Sequence, residues 1–101
     1  MKNTYKIKWT DHALNELKET FDYLKINWTK KDMNKLVFEI EKVLELISIN
    51  PELFPKASKE KNVRRVTVTK HNTLYYRIND KTIEVLSFFS NRKKPDKLEL
   101  Q

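Results

Sequence analysis

At 101 residues the chain is sized for one domain, and a chain of this size buries somewhat over ~60% of its unfolded surface, enough to fold without covalent staples. It contains no cysteine, which excludes disulfides, thiolate metal ligands and cysteine nucleophiles. It contains no glycine either, which excludes the Gly-rich loops that cradle phosphates in dinucleotide and nucleoside-triphosphate sites. The formal net charge of +7 is unevenly spread: residues 11–52 hold six basic and nine acidic side chains, and residues 53–101 hold twelve and five.

In chain order, Tyr5, Ile7 and Trp9 alternate with Lys6, Lys8 and Thr10, the two-residue period of a half-buried strand. Thr10 and Asp11 then supply an N-cap and a first-turn acid for a helix. Leu14, Leu17, Phe21, Leu24 and Trp28 recur three and four apart along it, giving one core-facing stripe. Thr29 and Asp32 stand in capping-box spacing and open a second helix, with Asp in the place Glu usually takes. Its apolar face runs through Met33, Leu36, Val37, Ile40, Val43, Leu44 and Ile47, and Asn50-Pro51 stops it. The short connection predicts an antiparallel helical hairpin.

Residues 51–62 read as a loop with Leu53 and Phe54 tucked under the domain. Three strands are expected at 63–69, 74–79 and 82–89, separated by turns at Lys70-His71-Asn72-Thr73 and Asn79-Asp80-Lys81. Ile83, Val85, Leu86, Phe88 and Phe89 place apolar groups on both faces of the last strand, which predicts a position inside the sheet. Residues 92–101 form a charged tail expected to fray. There is no repeat, low-complexity segment or linker, so residues 1–101 read as a single domain. The polar–apolar alternation of the first residues and the lack of a long apolar run predict a cytoplasmic protein with no membrane contact. The order is β-α-α-β-β-β, an α+β fold with a helical hairpin packed on a mostly antiparallel four-stranded sheet.

This order, at this length, resembles the RelE/ParE toxin superfamily of type II toxin–antitoxin systems. Tyr5-Lys6-Ile7-Lys8-Trp9-Thr10-Asp11-His12-Ala13 is similar to the family's opening strand and helix start, and Asn50-Pro51-Glu52-Leu53-Phe54-Pro55 to the turn after its second helix. Val63-Arg64-Arg65-Val66-Thr67-Val68 with Leu74-Tyr75-Tyr76-Arg77-Ile78 resembles the central hairpin. Val85-Leu86-Ser87-Phe88-Phe89-Ser90-Asn91-Arg92-Lys93-Lys94-Pro95-Asp96-Lys97 resembles the closing strand and basic tail of ParE-like members. The resemblance implies a growth-inhibiting, plasmid-stabilising toxin held silent by a cognate antitoxin, which contacts operator DNA only through the antitoxin complex. It also implies one of two activities. ParE-like members poison DNA gyrase, and RelE-like members cut mRNA in the ribosome.

A metal-free ribonuclease needs a base, a cation on the phosphate and an acid for the leaving oxygen. Arg64, Arg77, Arg92 and His71 are the candidates for such chemistry, and Arg64, Arg65, Lys70, Arg77, Arg92, Lys93 and Lys94 for contact with a target or nucleic acid. Strand alternation points Arg64 and Arg65 to opposite faces, so only one of them can join any cluster. Arg77 reads either as a member of that cluster or as an ion pair under the helices. His71 falls in a turn, and His12, near a helix N-terminus, reads as structural. Of Tyr75 and Tyr76, one faces away from the core. The resemblance implies that a nuclease would carry Tyr or His near its C-terminus, and nothing after Phe89 is either, which favours a ParE-like protein acting by binding over an interferase with a degenerate site; an inactive antitoxin-binding module is the third reading. Two distant histidines and no cysteine give no zinc site, and no cofactor is expected. Glu41 and Glu45, four apart, read as a solvated helix face. Tyr23 and Trp28 are the apolar side chains expected on the outer surface, where an antitoxin helix or strand would lie.

Overall fold

The computed structural model describes residues 4–27, 29–57 and 62–91. The elements are β1 (Lys6–Trp9), α1 (Asp11–Asn27), α2 (Lys30–Ile49), β2 (Val63–Thr69), β3 (Asn72–Asn79) and β4 (Thr82–Ser90). The sheet order is β1-β4-β3-β2, with β1 parallel to β4 and the other pairs antiparallel. The fold is the expected α+β arrangement, and β4 lies inside the sheet.

Both helix starts follow from their caps. Thr10 Oγ1 accepts from Ala13 N at 3.1 Å, which ties off one of the first-turn amides. At α2 the capping box closes in both directions: Asp32 N donates to Thr29 Oγ1 at 3.3 Å, and Thr29 N donates to Asp32 Oδ2 at 3.2 Å. The helix ends where Asn50 N donates to Leu46 O at 2.9 Å, next to Pro51.

The helices pack on one face of the sheet. Ala13, Leu24, Leu36, Ile40, Val43 and Ile47 meet Val66, Val68, Leu74, Tyr76, Ile83, Val85 and Phe88 in a single core. The stripes are turned slightly from the expected ones. Ala13 and Thr20 are buried on α1 whereas Leu14 is exposed, and Val37 on α2 is exposed too. Thr20 is tolerated in the interior because its hydroxyl donates to Glu16 O at 3.0 Å. Phe54 packs against the core as expected, but Leu53 beside it is exposed.

A bulge changes the parity of β4. Tyr75 pairs with Ser87, but the next residue, Tyr76, pairs with Val85, so Leu86 is extra. Inward positions therefore shift from Ile83 and Val85 to Phe88 and Ser90. The apolar run that reads as two-faced thus owes some of its pattern to a single face crossing over at the bulge. The turn before β3 is also tighter than expected. Asn72 and Thr73 belong to the strand, because Asn72 Nδ2 donates to Thr69 Oγ1 at 2.8 Å and His71 N to the same oxygen at 3.2 Å. In the turn between β3 and β4, Asp80 takes φ 61°, the left-handed region that glycine would otherwise fill.

Candidate functional site

The helices leave the second face of the sheet uncovered, and register fixes what stands on it. Lys8, Glu84 and Arg77 form one cross-strand row over β1, β4 and β3. Arg65 and Tyr75 form the next, over β2 and β3, level with Ser87 of β4, whose hydroxyl is taken by the Glu16 carboxylate of α1; Thr67, Thr73 and Phe89 form the one beyond. Lys6, Lys8, Arg65 and Arg77 are exposed, while Tyr75 and Phe89 are half-buried.

Arg77 is therefore not under the helices. It lies on the open face, where its Nε donates to Glu84 Oε1 at 2.6 Å. That hydrogen bond holds the Glu84 carboxyl below its ordinary range, and Lys8 in the same row adds to the effect. Glu84 thus stays an ion that accepts, not a proton donor. Arg65 is exposed on the same face, one row away.

Arg64, the next residue, belongs elsewhere. Its Nη1 donates to Phe54 O at 2.7 Å, and alongside it the Tyr76 hydroxyl donates to Pro51 O at 2.7 Å. Arg65 N donates to Pro55 O at 3.2 Å and Ala57 N to Val63 O at 2.7 Å, so residues 51–57 are strapped along the outer edge of β2. Such cover removes an unpaired strand edge. Burial raises the Tyr76 pKa, against the lowering influence of Arg64, so the phenol stays a donor. Arg64 and Tyr76 are clamps for the loop.

His71 is separated from Arg77 by most of β3, roughly 20 Å at ~3.3 Å per residue. It lines a different feature, a cleft of about 620 Å³ between the helical hairpin and the β2–β3 turn, whose walls include Leu24, Leu36, Val68, Lys70 and Asn72. Lys70 therefore joins His71 there and not the open face. Tyr23 is half-buried against the core instead of standing outside it; among the described residues the exposed large apolar side chains of the hairpin are Leu14, Ile26, Val37, Phe38, Leu46 and Ile49. Trp28, Arg92, Lys93 and Lys94 lie outside the described residues.

Sequence reasoning passes over Lys6, Lys8 and Glu84, although the alternation of Lys6 and Lys8 with Ile7 already assigns them to one face. It also passes over Glu16. This carboxylate accepts from Phe88 N at 2.8 Å and Ser87 Oγ at 2.7 Å, and it pairs with His12 Nε2 at 3.3 Å. It satisfies the edge of β4 beyond the point where β1 ends, a long-range role with no sequence signal. Among the described residues no group of His, Cys, Asp or Glu is placed to hold a metal ion, and no helix is long and apolar enough to cross a membrane.

Residues 7–95 match the family model described as "ParE toxin of type II toxin-antitoxin system, parDE". The chain belongs to the ParE toxin family. No curated protein sequence matches this ParE-family chain significantly. In fold it is similar to a chain of the chromosomal ParDE system from P. aeruginosa, with a TM-score of 0.71 at 19% identity over 88% of this chain and 98% of that one. It is similar as well to the YoeB dimer from Staphylococcus aureus, with TM-score 0.60, 21% identity, and 85% and 95% of the two chains covered. A chain of the E. coli DinJ-YafQ complex gives 0.58 at 20% identity, covering 87% of this ParE-family chain and 94% of the other.

Proposed function

We propose that this ParE-family toxin arrests growth by binding and poisoning DNA gyrase, without chemistry of its own, and that a cognate antitoxin neutralises it. The observation that carries the reading is the composition of the open sheet face. Its cations are Lys6, Lys8, Arg65 and Arg77, and its one strand-borne carboxylate, Glu84, is bound to Arg77 at 2.6 Å. Tyr76 is buried and committed to Pro51 O, and His71 sits at the far end of the sheet. Proton transfer to a leaving oxygen asks for an acid within hydrogen-bond reach of the reacting phosphate and a base for the attacking hydroxyl. On the face formed by the described residues the Tyr75 phenol is half-buried and the strand-borne carboxylate is held by Arg77, which suits the face better to binding than to cleavage.

The antitoxin's place is the hairpin, where Val37, Phe38, Leu46 and Ile49 are exposed along α2; an amphipathic helix or added strand laid on them would bury that surface. The pair, and not the toxin alone, contacts operator DNA. Inhibition of gyrase supercoiling by the purified toxin, relieved by the product of the adjacent small reading frame, is the expected result. Intact supercoiling together with codon-positioned cuts in ribosome-bound mRNA would instead make it a RelE-like endoribonuclease.

A further inference from the structure

We propose that the open sheet face is a platform for single-stranded DNA, with its phosphates on Lys8, Arg65 and Arg77 and a base stacked on Tyr75. The choice of DNA over RNA rests on the gyrase reading, since a gyrase poison works beside opened DNA; the platform itself rests on the geometry.

Three observations point to it. The first is charge: Lys6, Lys8, Arg65 and Arg77 are exposed around one bound carboxylate, so the face attracts a polyanion. The second is placement. With strands ~4.8 Å apart, Lys8 and Arg77 stand about 10 Å from one another across the Glu84 row, and Arg65 is one strand and two residues from Arg77. These separations let one extended strand meet all three cations in succession. The third is aromatic. Tyr75 on β3 and Phe89 on β4 lie on this face in adjacent rows, half-buried and backed by the sheet. An aromatic ring among cations, as Tyr75 is beside Arg65, is the combination that binds single strands without reading sequence, because each base offers a flat face. A duplex keeps its bases stacked inside and reaches only the cations. An acidic protein surface would need the cations and not the rings.

Glu84 sets the strength of the grip. Its carboxylate takes Arg77 Nε and leaves the two Nη groups to donate to a phosphate. It orients the guanidinium while its charge opposes the incoming anion. Glu84→Gln keeps an acceptor for Nε and removes the charge.

Fluorescence anisotropy with a labelled oligothymidylate, its duplex with oligoadenylate, and an oligouridylate tests the proposal without gyrase present. The single DNA strand is expected to bind tightest, with an affinity that falls with salt. Lys8→Gln and Arg65→Gln should each reduce the log–log salt slope by ~0.7. Tyr75→Ala should weaken binding about tenfold while Tyr75→Phe retains it, a pair that separates stacking from misfolding. Glu84→Gln should tighten it about threefold at low salt. Lys18→Gln, on α1 where the lysine pairs with Asp22, should change nothing. Equal binding of the duplex, tighter binding of oligouridylate, or an equal loss in Lys18→Gln overturns the proposal. Strand binding with no effect on supercoiling removes the gyrase reading alone. Gyrase inhibition that survives in a variant unable to bind the strand removes the platform alone.

Discussion

Along β3 the residues alternate between two environments. Leu74 and Tyr76 are fully buried beneath the helices, whereas Tyr75 is half-buried and Arg77 exposed on the other side. β2 repeats the contrast within one pair of neighbours, Arg64 clamped to Phe54 O and Arg65 in solvent. A residue type is thus no guide to role here. The same strands carry the core on one face and the proposed binding surface on the other, and the pleat keeps the two apart. Substitutions on the open face are free to alter binding at little cost to folding, and substitutions on the covered face are not.

The sharpest test of that division compares the two tyrosines. Tyr76→Ala should cost ~3–5 kcal/mol, from a core cavity and the loss of the hydrogen bond to Pro51 O, while Tyr75→Ala should cost under ~1 kcal/mol; urea unfolding measures both. Equal losses would break the comparison. Glu16→Ala comes next, at roughly 2 kcal/mol, since it strands the partly buried Phe88 N–H and Ser87 hydroxyl. Amide exchange should then quicken at Phe88 and its neighbours in β4. Arg64→Ala should lower stability by about 1 kcal/mol and loosen the strapped loop, against a change within ~0.5 kcal/mol for Arg65→Ala; proteolysis across residues 51–57 distinguishes them.

The smallest effect is a dependence on pH. Arg77 lowers the folded-state pKa of Glu84, so the stabilisation is present above the unfolded pKa and is lost as pH falls through the lowered folded value. Melting curves of the wild type and Glu84→Gln should therefore draw together between neutral pH and pH ~3, below the ordinary carboxylate pKa of ~4.3. A constant gap between them over that range would place the Arg77–Glu84 pair outside the stability of the fold.

What the sequence makes legible here is local. The capping box at Thr29, the stop at Pro51 and the alternation of β1 each depend on residues a few positions apart, and each appears where expected. The class and the element order follow from such local signals, and the inner position of β4 from the apolar run Ile83–Phe89. What stays hidden is set by partners far along the chain. The bulge at Leu86 reverses the parity of β4, so the pattern Phe88-Phe89 does not by itself say which ring faces in. The clamp on Arg64 needs a loop carbonyl ten residues away, and the anchoring of Glu16 needs a strand more than seventy residues on. The orientation of Arg77 is within reach of the sequence: once Tyr76 is the inward tyrosine, alternation carries Arg77 onto the open face.

The parallel pairing of Lys6–Trp9 with Thr82–Ser90 has a consequence for how the molecule comes into being. Among the described residues β1 has β4 as its only strand neighbour, so Lys6–Trp9 waits for Thr82–Ser90. On the ribosome, the hairpin of helices can form early, but the sheet closes only once nearly all of the described chain has emerged. Pairings this distant are slow to form. A nascent or truncated chain ending before Thr82 therefore leaves β1 unpaired and the open face without its Glu84 row, so the proposed binding surface is complete only once Thr82–Ser90 has been made.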